Sequence, residues 1–312
     1  MLVASQLGEH GTDLLRRRVP DVDFITIPRA IPSDLPMDAR MLIAVPAVEQ
    51  GVGFPPRPDG WPFGLKNIQL ISVGLDLYPD WYFDGLRVLG ARGLGSDAIA
   101  EYVLALIFAA AKRLPEAWIS RAEDWLPEER GMIAGSTLGI FGFGAIGQAL
   151  ALRAMAMGMK VLAMRRTPSH LEDIGVEQVA DIGELFARSD YVVLAAPSTP
   201  ETTGIVGADV LAMAKSGLHL VNVARGALID DDALLHALDR GQIALASLDV
   251  THPEPLPAGH PFYGHPRVRL SPHVAPRTTG TAAALFERVI ENIHRLQRNE
   301  PLLGQVDLAR GY

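Results

Sequence analysis

Short apolar runs recur along the chain, and the polar stretches between them carry apolar residues at helical spacing. In the first part the runs predict strands over 1–5, 24–27, 41–45, 68–73 and 87–89, with a helix over 11–19. A strong helix is predicted over 96–114, with Ser96 or Asp97 as N-cap and Lys112-Arg113 near its end before Pro115. An apolar run from Thr137 then meets Gly142-x-Gly144-x-x-Gly147, followed by an Ala/Leu/Met-rich helical segment and a second run over 160–164. Strands follow over 178–180, 191–195, 219–223, 244–249 and 268–270, with helices over 182–187, 207–214 and 231–240 between them. A long periodic helix is predicted over 279–299. Strands that alternate with helices imply an α/β fold built on parallel, doubly wound sheets covered on both faces.

The glycine unit carries the first chemical signal. Strand, glycine turn, helix and strand form the βαβ unit that binds a dinucleotide. Gly142 permits the tight turn, Gly144 lets the backbone approach a pyrophosphate, and Gly147 allows close packing of helix on strand. The pyrophosphate would sit at the helix N-terminus, near Ala145 and Ile146, where free N–H groups and the helix dipole favour an anion. The structural alternative is a tight turn with no ligand.

At 312 residues, the chain is long enough for two domains. A formal charge of −8 argues against a general nucleic-acid surface. Without cysteine, disulfides, thiolate metal sites and cysteine nucleophiles are excluded. The N-terminus lacks the basic-then-apolar order of a signal peptide, and the longest apolar run, 102–111, is too short for a bilayer. A cytoplasmic location with no membrane partner is therefore expected. The remaining histidines show no ligand-like spacing, so no metal site is expected.

Ligands of doubly wound sheets bind outside the carboxyl ends of the strands. Three such ends carry unusual polar residues: Arg225 after 219–223, Glu254 after 244–249 and His273 after 268–270. An arginine fork can hold a 2-oxoacid by its carboxylate and polarise its carbonyl. A histidine can protonate the carbonyl oxygen as hydride arrives, and a glutamate beside it would favour the protonated form and fix the ring. Taken singly, Arg225 could be a loop ion pair, His273 a cap and Glu254 a solvated acid.

With these residues in order, the chain resembles the D-2-hydroxyacid dehydrogenase family. GFGAIG, VNVARGALID, LDVTHPEPLP and LSPHVA match its successive signatures, AEYVLALIFAAAKRLP its linking helix, and SVGLD its substrate-carboxylate loop. The resemblance runs from about residue 65 to the end. It implies that Arg225 binds substrate, Glu254 is the carboxylate partner and His273 is the general acid/base. It further implies that Val73 and Gly74 offer backbone N–H groups to the substrate. Asp249 would bind the nicotinamide carboxamide, and Ala196, Pro197, Thr202, Val223 and Ala224 would line the cofactor. The implied architecture is two Rossmann-like domains with the active site in the cleft between them. Residues 1–94 plus 283–312 would form a flavodoxin-like substrate domain, and 95–282 the dinucleotide domain. Family members are usually homodimers through the dinucleotide domain. Trp118 and Trp125 fit such an interface, although ordinary packing within the chain is the preferred expectation.

One departure bears on the cofactor. Where NAD-dependent members place an acid to accept the ribose hydroxyls, this chain has Arg165, followed by Arg166 and Thr167. An acid would repel a 2′-phosphate, whereas two arginines and a hydroxyl can hold it, so NADP(H) is expected over NAD(H). Through the family's NADPH-using members, the resemblance then implies a small 2-oxoacid such as glyoxylate or hydroxypyruvate as substrate. The alternatives are a phosphite-type dehydrogenase and a dinucleotide-sensing corepressor of the same fold; formate dehydrogenases carry Gln in place of Glu254. The Pro/Gly-rich stretch 45–65 has no clear family match, and its role is left open.

Overall fold

The protein is described by a computed structural model covering residues 1–46, 53–166 and 171–308. Its chain divides into two compact units, Met1–Leu94 together with the stretch from Thr278 onward, and Gly95–Arg277.

In the first unit β1 (Leu2–Ser5), α1 (Gly8–Arg18), β2 (Asp23–Thr26), β3 (Ala39–Ala44), β4 (Asn67–Leu70) and β5 (Arg87–Leu89) supply a five-stranded sheet and its first helix. The strands are parallel, in the order β2-β1-β3-β4-β5. This is the flavodoxin-like order. β4 is buried along its whole length, which explains its unbroken run of core positions. The strand stops at Leu70 rather than at 73, so Val73 and Gly74 lie in the following turn, where backbone N–H groups leave the ladder.

The second unit opens with α2 (Ser96–Lys112) and the short α3 (Leu114–Ala117). Gly95, and neither Ser96 nor Asp97, occupies the N-cap, with no side-chain cap. Asp97 instead lies in the first turn, where its charge favours the helix dipole and pairs with Arg153 at 2.8 Å. α2 ends at Lys112 because Arg113 turns left-handed (φ 48°), and Pro115 falls in the first turn of α3, where proline is tolerated.

Next come β6 (Thr137–Phe141), α4 (Ala145–Ala156), β7 (Lys160–Met164), β8 (Glu177–Gln178), α5 (Ile182–Arg188) and β9 (Tyr191–Leu194). They are followed by α6 (Ala208–Ala212), β10 (Leu218–Asn222), α7 (Asp231–Asp239), β11 (Ile243–Leu248) and β12 (Val268–Leu270). The seven strands are parallel, in the order β12-β11-β10-β9-β6-β7-β8. Counted from β6, that order contains the Rossmann arrangement, with the switch point between β6 and β9. β10 is buried at every position between apolar layers, as a central parallel strand must be. Asp181 and Asp230 cap α5 and α7 by accepting from the Glu184 and Ala233 N–H groups.

The last helix, α8 (Thr279–Gln297), belongs to the first unit. Thr278 caps it by accepting from the Thr281 N–H at 3.0 Å, so the crossing falls at 278 rather than 283. Its apolar stripe, Val289, Ile290 and Ile293, packs with Val3, Leu15 and Met41. Among the described residues, no helix is long and apolar enough to cross a membrane.

Candidate active site

The three glycines behind β6 differ in what surrounds them. Gly142 has φ 99°, and a Cβ there would lie 2.5 Å from the Ala196 backbone N at the end of β9. At Gly147, a Cβ would lie 2.6 Å from the Gly142 carbonyl oxygen. These two are demanded by the fold itself. Gly144 is not: a Cβ there would meet nothing within 4 Å, and its φ of −85° suits any residue. The space above it remains open at the N-terminus of α4, which has no side-chain cap and where Ala145 and Ile146 are only half-buried. Such a cradle of free N–H groups fits a pyrophosphate.

Arg165 follows β7 directly and is half-buried; Arg166 is exposed. Thr167 lies outside the described residues, as do residues 47–52 of the Pro/Gly-rich stretch. The turn after β9 is closed by Thr202, whose hydroxyl donates to the Pro197 carbonyl at 2.8 Å and accepts from the Thr199 N–H. Ala196 is buried under Gly142, while Pro197 is exposed. Glu201 in this turn was not singled out by the sequence. The Thr199 hydroxyl and its own backbone hold its carboxyl below the usual range, and Arg166 adds to this.

At the carboxyl end of β10, buried Asn222 shapes the turn that carries Arg225. Its Nδ2 donates to the Arg225 carbonyl at 2.8 Å, and its Oδ1 accepts from the Ala224 N–H at 3.0 Å. Val223 and Ala224 are buried beside it. The next residue, Gly226, leaves no room for a Cβ against the backbone of Thr251 and His252, so the turns after β10 and β11 press together. That contact brings Arg225 and Glu254 onto one rim.

His273 and Glu254 meet there. His273 Nδ1 lies 2.9 Å from Glu254 Oε2, and Glu254 Oε1 accepts from the Thr251 N–H at 3.1 Å. Burial opposes ionisation of Glu254, but the hydrogen bond and charge of His273, the Thr251 N–H and the Arg225 charge outweigh it. The carboxyl is held below the usual carboxylate range. With Nδ1 engaged, the imidazole keeps Nε2 for exchange with a ligand. About a third of the His273 side chain is open to solvent (34%), so a small substrate can reach it.

Asp249 is buried and already has three partners. Oδ1 accepts from Ser271 Oγ at 2.6 Å and the Val274 N–H at 2.9 Å, and Oδ2 from the Ala275 N–H at 2.9 Å. Its own carbonyl accepts from the His273 N–H at 2.8 Å. In this arrangement it organises the histidine turn, a role the sequence did not signal. In the first unit, exposed Val73 and half-buried Gly74 follow β4, with Ser72 Oγ donating to the Gly74 carbonyl at 3.2 Å. Trp118 and Trp125 are 75% and 78% exposed, so packing within the chain does not account for them. Among the described residues, no cluster of His, Asp and Glu has the makings of a metal site.

The sequence profile of "D-isomer specific 2-hydroxyacid dehydrogenase, NAD binding domain" matches residues 104–275, spanning α2 to the histidine turn. The chain belongs to the D-isomer-specific 2-hydroxyacid dehydrogenase family. It is thus an NAD(P)-dependent oxidoreductase. It is 34% identical over 260 residues to glyoxylate/hydroxypyruvate reductase A of Serratia proteamaculans, covering 80% of this chain and 82% of that protein. It is 37% identical to the glyoxylate reductase of Thermococcus litoralis, covering 76% and 75%. Among solved structures it is similar to the D-isomer specific 2-hydroxyacid dehydrogenase of Xanthobacter autotrophicus Py2, solved with NADPH and MES. The TM-score is 0.79 at 30% identity, covering 100% of this chain and 99% of the other. The TT0316 protein of Thermus thermophilus gives a TM-score of 0.78 at 33% identity, covering 98% and 100%.

Proposed function

We propose that this dehydrogenase reduces a small 2-oxoacid, of the size of glyoxylate or hydroxypyruvate, to the D-2-hydroxyacid with NADPH. The observation that carries the reading is the His273–Glu254 pair at 2.9 Å on the rim that Arg225 shares. The Arg225 guanidinium holds the substrate carboxylate and draws charge toward the keto oxygen. In the first unit, the turn of exposed Val73 and half-buried Gly74 has backbone N–H groups suited to a carboxylate. His273, held by Glu254 at Nδ1, gives the proton on Nε2 to the keto oxygen. The reduced nicotinamide, when bound, supplies the hydride. Glu254 remains ionised and stabilises the imidazolium before transfer. Asp249 retains lone-pair capacity for a carboxamide beyond its three present partners.

Arg165 and Arg166, with no acid at the end of β7, support NADPH over NADH. A phosphite-type oxidation with NAD fits those guanidinium groups less well, and a dinucleotide sensor needs no proton donor. The names of the relatives support the substrate class. The exposed Trp118 and Trp125 support a homodimer through the dinucleotide unit, and the cytoplasm is the proposed location.

Oxidation of NADPH and NADH is to be followed with glyoxylate, hydroxypyruvate, pyruvate and bulkier 2-oxoacids. The expected result is a higher kcat/KM with NADPH and turnover of the small acids, and Arg165→Asp should move the preference toward NADH by about tenfold or more. A wild-type preference for NADH overturns the cofactor assignment. Tight NADPH binding without turnover of any 2-oxoacid favours the sensor.

A further inference from the structure

His273 sits in a costly place. Its φ of 52° lies in the left-handed region, which a non-glycine residue enters only at a cost. The turn that imposes this conformation must be held from outside. Three consecutive N–H groups, those of His273, Val274 and Ala275, all donate to Asp249, the first to its carbonyl and the others to its carboxylate. The histidine turn is thus anchored chiefly on Asp249, with the Ser271 carbonyl sharing the His273 N–H at 3.0 Å.

Asp249 is in turn held by Ser271, and Ser271 by Tyr102 on α2. Ser271 Oγ donates to Asp249 Oδ1 at 2.6 Å, and Tyr102 Oη donates to Ser271 Oγ at 2.7 Å. A serine hydroxyl has one proton. Because that proton goes to Asp249, Ser271 can serve Tyr102 only as an acceptor, and both O–H vectors run toward the carboxylate. Hydrogen bonds aligned in this way polarise one another, and those ending on a carboxylate are short and strong. Tyr102 itself is half-buried and packs against the core beneath the sheet, so its ring has a fixed platform. No part of the proton transfer or of carboxylate binding uses Tyr102 or Ser271.

We propose that Tyr102 is a positioning residue for His273, acting through Ser271 and Asp249. This rests on the reading of His273 as the proton donor. Removing the Tyr102 hydroxyl leaves Ser271 free to rotate away from Asp249, which loosens the grip on the three N–H groups and widens the range of His273 orientations. Substrate carboxylate binding through Arg225 sits on a different turn and is spared.

The test uses the full-length enzyme with NADPH and its best 2-oxoacid. Tyr102→Phe should lower kcat about tenfold, the scale of one hydrogen bond in a charged network, with KM for the oxoacid within about twofold. Proton delivery becomes the slower event, so the solvent deuterium isotope effect on kcat should rise. Ser271→Ala should lower kcat similarly, and the double variant should be no worse than Ser271→Ala alone. Unchanged kcat in Tyr102→Phe, a rise confined to KM, or full additivity with Ser271→Ala overturns the inference. Failure of the underlying reading is seen elsewhere, as near-normal turnover in His273→Ala.

Discussion

His219 lies in the middle of the second unit's sheet, on β10, and should make that unit acid-sensitive. Its ring is buried, its Nε2 lies 2.9 Å from Ser247 Oγ on β11, and its Nδ1 has no hydrogen-bond partner. Tyr191 on β9 covers one edge. Burial, with a smaller contribution from the charge of Arg269 on β12, lowers its pKa from 6.5 to about 4. The unfolded chain therefore takes up a proton near pH 6.5 that the native state refuses until about pH 4. In that window the unfolded state binds more protons, so stability is complete above the unfolded pKa and falls as pH falls. Between pH 7 and pH 5 the linkage relation gives a loss of about 2 kcal/mol from this residue alone. His219→Gln keeps a side-chain amide near Ser247 but cannot titrate. Urea unfolding of both proteins at the two pH values measures the effect, because the carboxylates common to both cancel in the difference. The variant should lose about 2 kcal/mol less than the wild type on acidification. Equal losses in the two proteins would refute the account of a buried neutral imidazole.

The glycines should separate fold from ligand. Gly147→Ala forces a Cβ toward the Gly142 carbonyl and should destabilise by about 1–3 kcal/mol in thermal unfolding. Gly144→Ala meets nothing and should keep Tm within a few degrees, yet weaken NADPH binding about tenfold or more by calorimetry. Unchanged NADPH affinity there would remove the pyrophosphate from that cradle. His273→Ala should lower kcat by roughly 10²–10⁴. The pH profile of kcat should show no acid limb in the usual carboxylate range, because the Glu254 carboxyl is held below it. An acid limb centred on the ordinary carboxylate value would contradict the Glu254 environment.

Much of this protein is legible along the chain because strands and helices are chosen by neighbours in sequence. The buried parallel strand β10 announces itself by its largely apolar run, and α8 by an amphipathic period, whereas the buried Asn67 and Gln69 of β4 are not signalled by polarity. Gly147 is similarly local, set by the carbonyl of the turn before its helix, whereas Gly142 is also closed in by the end of β9. Arg225, Glu254 and His273 were readable as candidates because each comes soon after an apolar run, and a parallel sheet gathers such ends on one side.

The tertiary structure alone decided what holds them. Tyr102 and Ser271 are separated by 169 positions and meet because α2 lies over the sheet in which β12 pairs with β11. Strand order is a choice among edge pairings, which no local pattern encodes. The hold on the left-handed His273 turn by the Val274 and Ala275 donors to Asp249 follows from that order. So does the absence of an internal reason for Gly144, which only the space around it could show. Residue types and spacing determined which groups face a ligand. The non-local hydrogen bonds, available only once the strands were paired, decided how firmly each is held there.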